Sequence, residues 1–384
     1  MTVADHEREK GKGMNSGLLH AWSKCLILVA ALTLASCSRP PSIIGVEHPD
    51  IPVASIEDAS IKKVFIATTR SPSDKPGVFL SANRSKELGL ASVDVSIPPI
   101  HEAGNLERPK RLPPDPRTEF TVINPVIYAS DAAFVRELNA ALMEWPKGKR
   151  EILLFIHGYN TSTTDAVLRL AQFAHDSGFE GVPILFSWAS ASQTAKYVFD
   201  LNSALIAREK VSRLSFLLDQ TNAETYDILA HSMGTLPTME GLLERSRQGQ
   251  LNRRGRLGNV ILASPDIDLD LFRSQLAQFV DRPDNFFVLL SKDDRALRLS
   301  RFIAGGVPRV GAANAEELAG LGVTVVDLSE VEDNGTLSHA KFAASPDIVK
   351  LIGRGLNQAS RFDQSEATPQ LEDTLVALSV RILF

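Results

Sequence analysis

From Glu151 to about residue 328, short apolar runs alternate with amphipathic stretches of helix length, and few folds satisfy that pattern. The runs at 152–156, 183–188, 226–229, 259–263, 286–290 and 323–328 are the strands. Ile152-Leu153-Leu154-Phe155-Ile156 has no polar alternation, as expected of a strand covered on both faces. The stretches at 165–177, 203–220 and 235–243 read as helices between them. Such alternation predicts an α/β protein, a mostly parallel sheet with helices on both faces.

Ahead of this lie a strand at 63–70 and another at 92–97, where Ser92-Val93-Asp94-Val95-Ser96-Ile97 alternates strictly and Pro98-Pro99 ends it. Pro109, Pro113, Pro114 and Pro116, amid mixed charge, make 101–118 a loop, and 130–145 is a helical stretch. No internal repeat is present. The hydrolase-like unit is expected over 61–355, and the tail over 356–384 carries no readable role.

The first forty residues have another composition. Lys24 precedes the apolar run Cys25-Leu26-Ile27-Leu28-Val29-Ala30-Ala31-Leu32, too short for a bilayer core that needs ~20 residues but fitting an export signal. Leu34-Ala35-Ser36-Cys37 resembles the bacterial lipobox, so residues 1–37 read as a lipoprotein signal with Cys37 the lipidated residue, and Met14 is the more conventional start for it. Pro40, Pro41, Pro49 and Pro52 make residues 38–60 a tether. The expected location is the cell envelope, anchored to a membrane through lipid, and Ser38 favours the outer membrane if the host is Gram-negative. Cys25 falls within the signal, so the mature chain keeps Cys37 alone and has no partner for an internal disulfide.

A net charge of −5 and the absence of a basic, aromatic-interleaved stripe argue against nucleic acid as a partner. Histidines at ligand spacing and a glycine-rich phosphate loop are missing too, so neither a metal nor a cofactor is expected. The sequence is silent on oligomeric state.

The chemistry gathers around Ala230-His231-Ser232-Met233-Gly234, which directly follows the run ending at Leu229. It is one substitution from Gly-x-Ser-x-Gly, where small residues at ±2 let a serine sit on a cramped strand-to-helix turn. Pro237 is early enough to fall in the first turn of the next helix. A serine needs a base, and in this architecture the order is serine, acid, histidine. Of eight histidines only His339 follows Ser232. The acid is expected at Asp294, with Asp293 next and Asp266 third, although an aspartate in such a loop often merely caps a helix. Oxyanion donors are expected from the backbone N–H groups of Met233 and Tyr159, the latter in Phe155-Ile156-His157-Gly158-Tyr159-Asn160. His157 reads as a structural loop residue, and His231 as pointing away from Ser232 into the packing. Pocket walls are expected near Trp188, Tyr197 and the segment after Arg301.

These motifs, with Phe186-Ser187-Trp188, Ala263-Ser264-Pro265-Asp266-Ile267-Asp268 and Ser291-Lys292-Asp293-Asp294-Arg295-Ala296-Leu297, resemble the DUF900-like bacterial α/β-hydrolase family of unknown function, loosely called esterase/lipase superfamily enzymes. Phe65-Ile66-Ala67-Thr68-Thr69-Arg70 and Val95-Ser96-Ile97-Pro98 are similar to that family's opening strands. The resemblance spans about 60–355 and implies the α/β-hydrolase fold and a serine-hydrolase mechanism on Ser232, Asp294 and His339. The resulting expectation is a carboxylic ester hydrolase acting on a small-molecule or lipid ester. The competing class is a non-catalytic, hydrolase-like envelope lipoprotein serving as scaffold or binding module.

Overall fold

The computed structural model describes residues 40–75, 77–283, 285–332, 338–357 and 380–383. The chain divides into two units, Met1–Pro41 and Ser42–Phe384. Only Pro40 and Pro41 of the first are described, so the expected signal and Cys37 lie outside the described residues, as does most of the C-terminal tail.

The second unit is built on a ten-stranded sheet in the order β10-β9-β8-β7-β6-β4-β5-β1-β2-β3. The strands are β1 (Ser60–Pro72), β2 (Leu80–Ile97), β3 (Thr121–Ile127), β4 (Glu151–Ile156), β5 (Val182–Ser187), β6 (Thr225–His231), β7 (Leu257–Ala263), β8 (Phe286–Leu290), β9 (Thr324–Asp327) and β10 (Arg381–Leu383). From β1 through β5, β4, β6, β7 and β8 to β9 every pairing is parallel, while β2, β3 and β10 join antiparallel at the two edges. The helices are α1 (Asp131–Met143), α2 (Thr163–Asp176), α3 (Tyr197–Leu218), α4 (Thr235–Arg247), α5 (Leu269–Leu276), α6 (Arg295–Ile303), α7 (Ala315–Ala319), α8 (Lys341–Ala344) and α9 (Pro346–Asn357).

The unbroken apolar strands are explained by two cores, one on each face of the sheet. Ile152, Leu154 and Ile156 of β4 enter one core with Phe134 of α1, Leu214 of α3 and Met239 of α4. Leu153 and Phe155 enter the other with Phe173 of α2 and Ile352 of α9. Successive side chains of a strand point to opposite faces, so each residue is buried whichever way it points. Each such side chain contributes ~1.5–3 kcal/mol through burial.

Several elements depart from the sequence expectation, among them β10, which lies in the tail. β2 runs well upstream of 92–97, and β3 falls within a stretch with no predicted element. Helix α3 starts at Tyr197 rather than 203, and Ser203 lies inside it, its hydroxyl donating to the Phe199 carbonyl one turn back at 2.9 Å. Within the expected tether, Ile43 and Ile44 are buried and the Gly45 N–H donates to the Val122 carbonyl at 2.8 Å, so this part of the chain packs on β3.

Strands β4 and β5 are swapped relative to chain order, and crevices at the carboxyl ends of strands near such a switch are the usual ligand sites of open α/β sheets. Of seven non-glycine residues with positive φ among the described residues, five (Asn160, Ser192, Ser232, Ser264 and Ser338) lie in the loops after β4, β5, β6, β7 and β9. Strained backbone of this kind gathers at functional sites.

Candidate active site

Ser232 follows β6 directly, buried, with φ +53°, and opens the single 3-10 turn Ser232–Gly234 that leads into α4. Its carbonyl accepts from the Thr235 hydroxyl at 2.6 Å and from the Asp266 N–H at 3.2 Å. The two glycines around it are dictated by close backbone approach. A β-carbon at Gly234 would sit 2.3 Å from the His157 carbonyl oxygen, and one at Gly158 only 2.8 Å from Cβ of Ser232. Ala230 pairs with Ile156 across the parallel ladder and is wholly buried in one core, so a methyl group fits where the motif usually has glycine.

The loop 157–160 therefore lies against the turn at Ser232, and it is rigidly held. His157 is buried and stacked on Trp188 with centroids 5.0 Å apart. Its Nδ1 lies 2.9 Å from the Gly158 carbonyl and its own carbonyl accepts the Trp188 indole N–H at 2.7 Å. Burial, reinforced by the Arg70 charge, drives its pKa down to about 3, which fits a neutral structural imidazole. Tyr159 sits between these anchors, its hydroxyl donating to the Thr194 carbonyl and its ring edge-on to Tyr197 at 5.3 Å.

Asp294 ends the loop after β8, and His339 lies beyond β9. The structure brings them together with His339 Nδ1 2.7 Å from Oδ2 of a fully buried Asp294. Asp293 does something else. Its carboxylate accepts from the Lys341 ammonium at 3.0 and 3.1 Å and from the Ser338 hydroxyl at 2.6 Å, holding the chain on both sides of His339. Burial raises the Asp293 pKa, but the hydrogen bonds from Ser291, Ser338 and Lys341 outweigh it and leave the group below its ordinary value. Asp266 faces Tyr197, whose hydroxyl donates to it at 3.0 Å, together with Ser300 and Arg309, the last an ion pair at 3.3 Å. Neither alternative acid hydrogen-bonds His339 among the described residues.

His339 reaches the turn at Ser232 through His231. His231 packs against His339 and Phe342: its Nε2 lies 3.1 Å from the His339 carbonyl, and its ring is 4.8 Å from each of their rings. Burial, and then the neighbouring His339, hold its pKa well below the ordinary histidine value, so Nε2 carries the proton and donates. No hydrogen bond joins Ser232 to His339 among the described residues. Trp188 is wholly buried in one of the two cores and tied to His157. Nothing in a one-residue reading signalled the brace by His231. Lys341, two positions after the histidine, was the legible sign that the loop is pinned. Among the described residues no cluster of three or more His, Cys, Asp or Glu is placed to hold a metal ion, and no helix is long and apolar enough to cross a membrane.

The parallel sheet, its swapped inner strands and a serine on a strained strand-to-helix turn define an α/β hydrolase. Residues 130–355 match the family described as "Alpha/beta hydrolase of unknown function (DUF900)", and the chain belongs to that family. Among solved structures, it is similar to an esterase of Pyrobaculum calidifontis, at 11% identity, covering 79% of this chain and 86% of that one, with a TM-score of 0.34. It is also similar to a fungal esterase structure from Rhizomucor miehei, covering 91% of this chain and 92% of that one, at 12% identity and a TM-score of 0.34. No curated protein matches the sequence.

Proposed function

We propose that the protein is a serine hydrolase of carboxylic esters, with Ser232 as nucleophile, His339 as base and acid, and Asp294 as the residue that orients the imidazole. The observation that carries this reading is the 2.7 Å contact between His339 Nδ1 and the buried Asp294, with His339 bound through its carbonyl to the residue preceding Ser232. With Nδ1–H donated to Asp294, Nε2 presents a lone pair to the serine hydroxyl. The Ser232–His339 hydrogen bond closes when substrate binds, as such bonds commonly tighten only in the Michaelis complex.

In the reaction Nε2 takes the hydroxyl proton as Oγ attacks the ester carbonyl. The N–H groups of Met233 and Tyr159 stabilise the oxyanion, each such donor contributing ~3–4 kcal/mol. Collapse expels the alcohol, which receives the proton from Nε2, and leaves Ser232 acylated. Water, deprotonated by the same nitrogen, then releases the acid and restores the hydroxyl. The substrate is a small-molecule or lipid ester, and the chain is held to the cell envelope through a lipid on Cys37. An active-site-directed fluorophosphonate should label the wild type and leave Ser232→Ala unlabelled, and labelling that survives in the variant overturns the assignment. A chain-length series of p-nitrophenyl esters then defines the acyl preference.

A further inference from the structure

The motif Thr68-Thr69-Arg70 at the end of β1 has no part in the reaction above, yet it places a buried cation beside the loops of the site. Arg70 is 2% exposed. Its Nε donates to the Ser187 hydroxyl at 3.0 Å, Nη1 to the Ser190 carbonyl at 3.0 Å, and Nη2 to the Thr161 carbonyl at 2.8 Å. One guanidinium thus joins the loop after β5 to the loop after β4. Its planar fork suits this task, because its donors point in fixed directions to separate acceptors.

The matching anion is Asp200 on α3, wholly buried. It accepts the Ala191 N–H at 2.6 Å, the Ser190 hydroxyl at 2.6 Å and the Asn160 N–H at 3.1 Å. Ser190 is the hub between the two charges: its carbonyl receives Arg70, its hydroxyl donates to Asp200, and that same oxygen accepts the Thr161 N–H at 3.1 Å. A buried charge is retained only where hydrogen bonds compensate it, and here the compensating groups belong to the loops at the candidate site.

The position of these bonds in the loop gives them their meaning. Gly158 lies against Ser232, Asn160 is fixed by Asp200 at φ +55°, and Thr161 is held through both its carbonyl and its N–H. Tyr159 lies between the two attachments. We propose that Arg70 and Asp200 are positioning residues which, through Ser190, hold the backbone of Tyr159 where its N–H meets the oxyanion. This inference rests on the serine-hydrolase reading of the same site. Oxyanion donors stabilise the transition state only if they are preorganised, so loosening the loop lowers turnover and leaves substrate binding nearly as it was.

The test uses the full chain carrying Arg70→Lys, Asp200→Asn or Ser190→Ala, with kcat expressed per active site titrated by fluorophosphonate. We expect kcat per titrated site to fall ~10²-fold in the first two variants and ~10-fold in Ser190→Ala, with KM within about twofold of wild type, by analogy with loss of one oxyanion donor. Inhibition by a trifluoromethyl ketone, which forms a tetrahedral adduct, should weaken in proportion to kcat/KM. A merely structural role lowers the titrated fraction and the melting temperature but not kcat per site, and that result overturns the proposal. Should the charge variants fail to fold, Ser190→Ala decides alone, because it keeps both charges, and wild-type kcat in that variant also overturns it. Failure of the underlying reading is distinct: Ser232→Ala would then hydrolyse as the wild type does.

Discussion

Asp294 divides its two carboxylate oxygens between two tasks. Oδ1 accepts the Leu297 N–H at 2.9 Å and caps α6, while Oδ2 holds His339 Nδ1 at 2.7 Å. The residue that caps the helix is thus also the one proposed as the triad acid, so the two readings posed by the sequence do not exclude each other. Asp294→Asn should keep the cap, because asparagine caps as well as aspartate, and so keep the melting temperature near wild type. Its activity should fall ~10³–10⁴-fold, since an amide no longer fixes the imidazole tautomer. Asp294→Ala should lose both activity and about 1 kcal/mol of stability. Ester hydrolysis and thermal melts check this, and an active Asp294→Asn would remove Asp294 from the triad.

Lys341, only 2% exposed, donates to Asp293 and to the Leu328 carbonyl at 3.0 Å. Lys341→Met should lower stability by ~1–3 kcal/mol through the unpaired acceptors it leaves. It should also lower kcat/KM, because the chain beside His339 loses its tie to Asp293. Urea denaturation and ester kinetics measure the two effects, and the idea fails if kcat/KM is unchanged while stability drops.

Three histidines give the stability opposite limbs in pH. His101 lies between Glu107 at 2.6 Å and Asp176 at 2.8 Å, and although burial lowers its pKa, these bonds outweigh burial and raise it above the ordinary value. Its stabilisation is therefore full below pH ~6.5, the unfolded value, and is lost as pH rises through the folded pKa. His157, held at about 3, and His231, well below its ordinary value, stay neutral in the fold. Below pH ~6.5 the unfolded chain takes up protons these two refuse, so stability falls on acidification. The melting-temperature gap between wild type and His101→Asn should shrink from pH 6 to pH 9. A gap independent of pH removes His101 from the account.

Gly158→Ala should abolish hydrolysis, because its new β-carbon would lie 2.8 Å from Cβ of Ser232 and 3.0 Å from Nδ1 of His231. Ala230→Gly, which restores the usual glycine, should lower stability by ~0.5–1 kcal/mol through backbone entropy and leave kcat unchanged. If Ala230→Gly raised kcat severalfold, the alanine would be a handicap to the turn and not a neutral variant.

Cys37→Ala should move the protein from the membrane pellet to the soluble fraction, since a lipobox cysteine is the proposed attachment point. Pelleting of the variant as strongly as the wild type excludes lipid anchoring there.

The parallel half of the fold was legible because strands buried on both faces announce themselves as apolar runs. Strand β4 illustrates it: Ile152, Leu154 and Ile156 serve one core while Leu153 and Phe155 serve the other. The antiparallel edge was not. β3 spans Thr121–Ile127 and includes Asn124 and Pro125, residues that read as turn, and Pro125 is tolerated because an edge strand leaves N–H groups unpaired. At the site, chain order alone selected His339 as the candidate base, but the work of His231 and Arg70 depends on contacts 108 and 117 residues away in sequence. No local pattern encodes such distances.

Ser338, Lys341 and the Leu328 carbonyl all converge on one knot at Asp293. The ties of Lys341 to the Leu328 and Ser329 carbonyls and to Asp293, with that of Ser338 to Asp293, thus set where the intervening imidazole of His339 stands. A substitution in this knot is therefore expected to act on the candidate site by shifting His339 against Asp294, without itself touching Ser232.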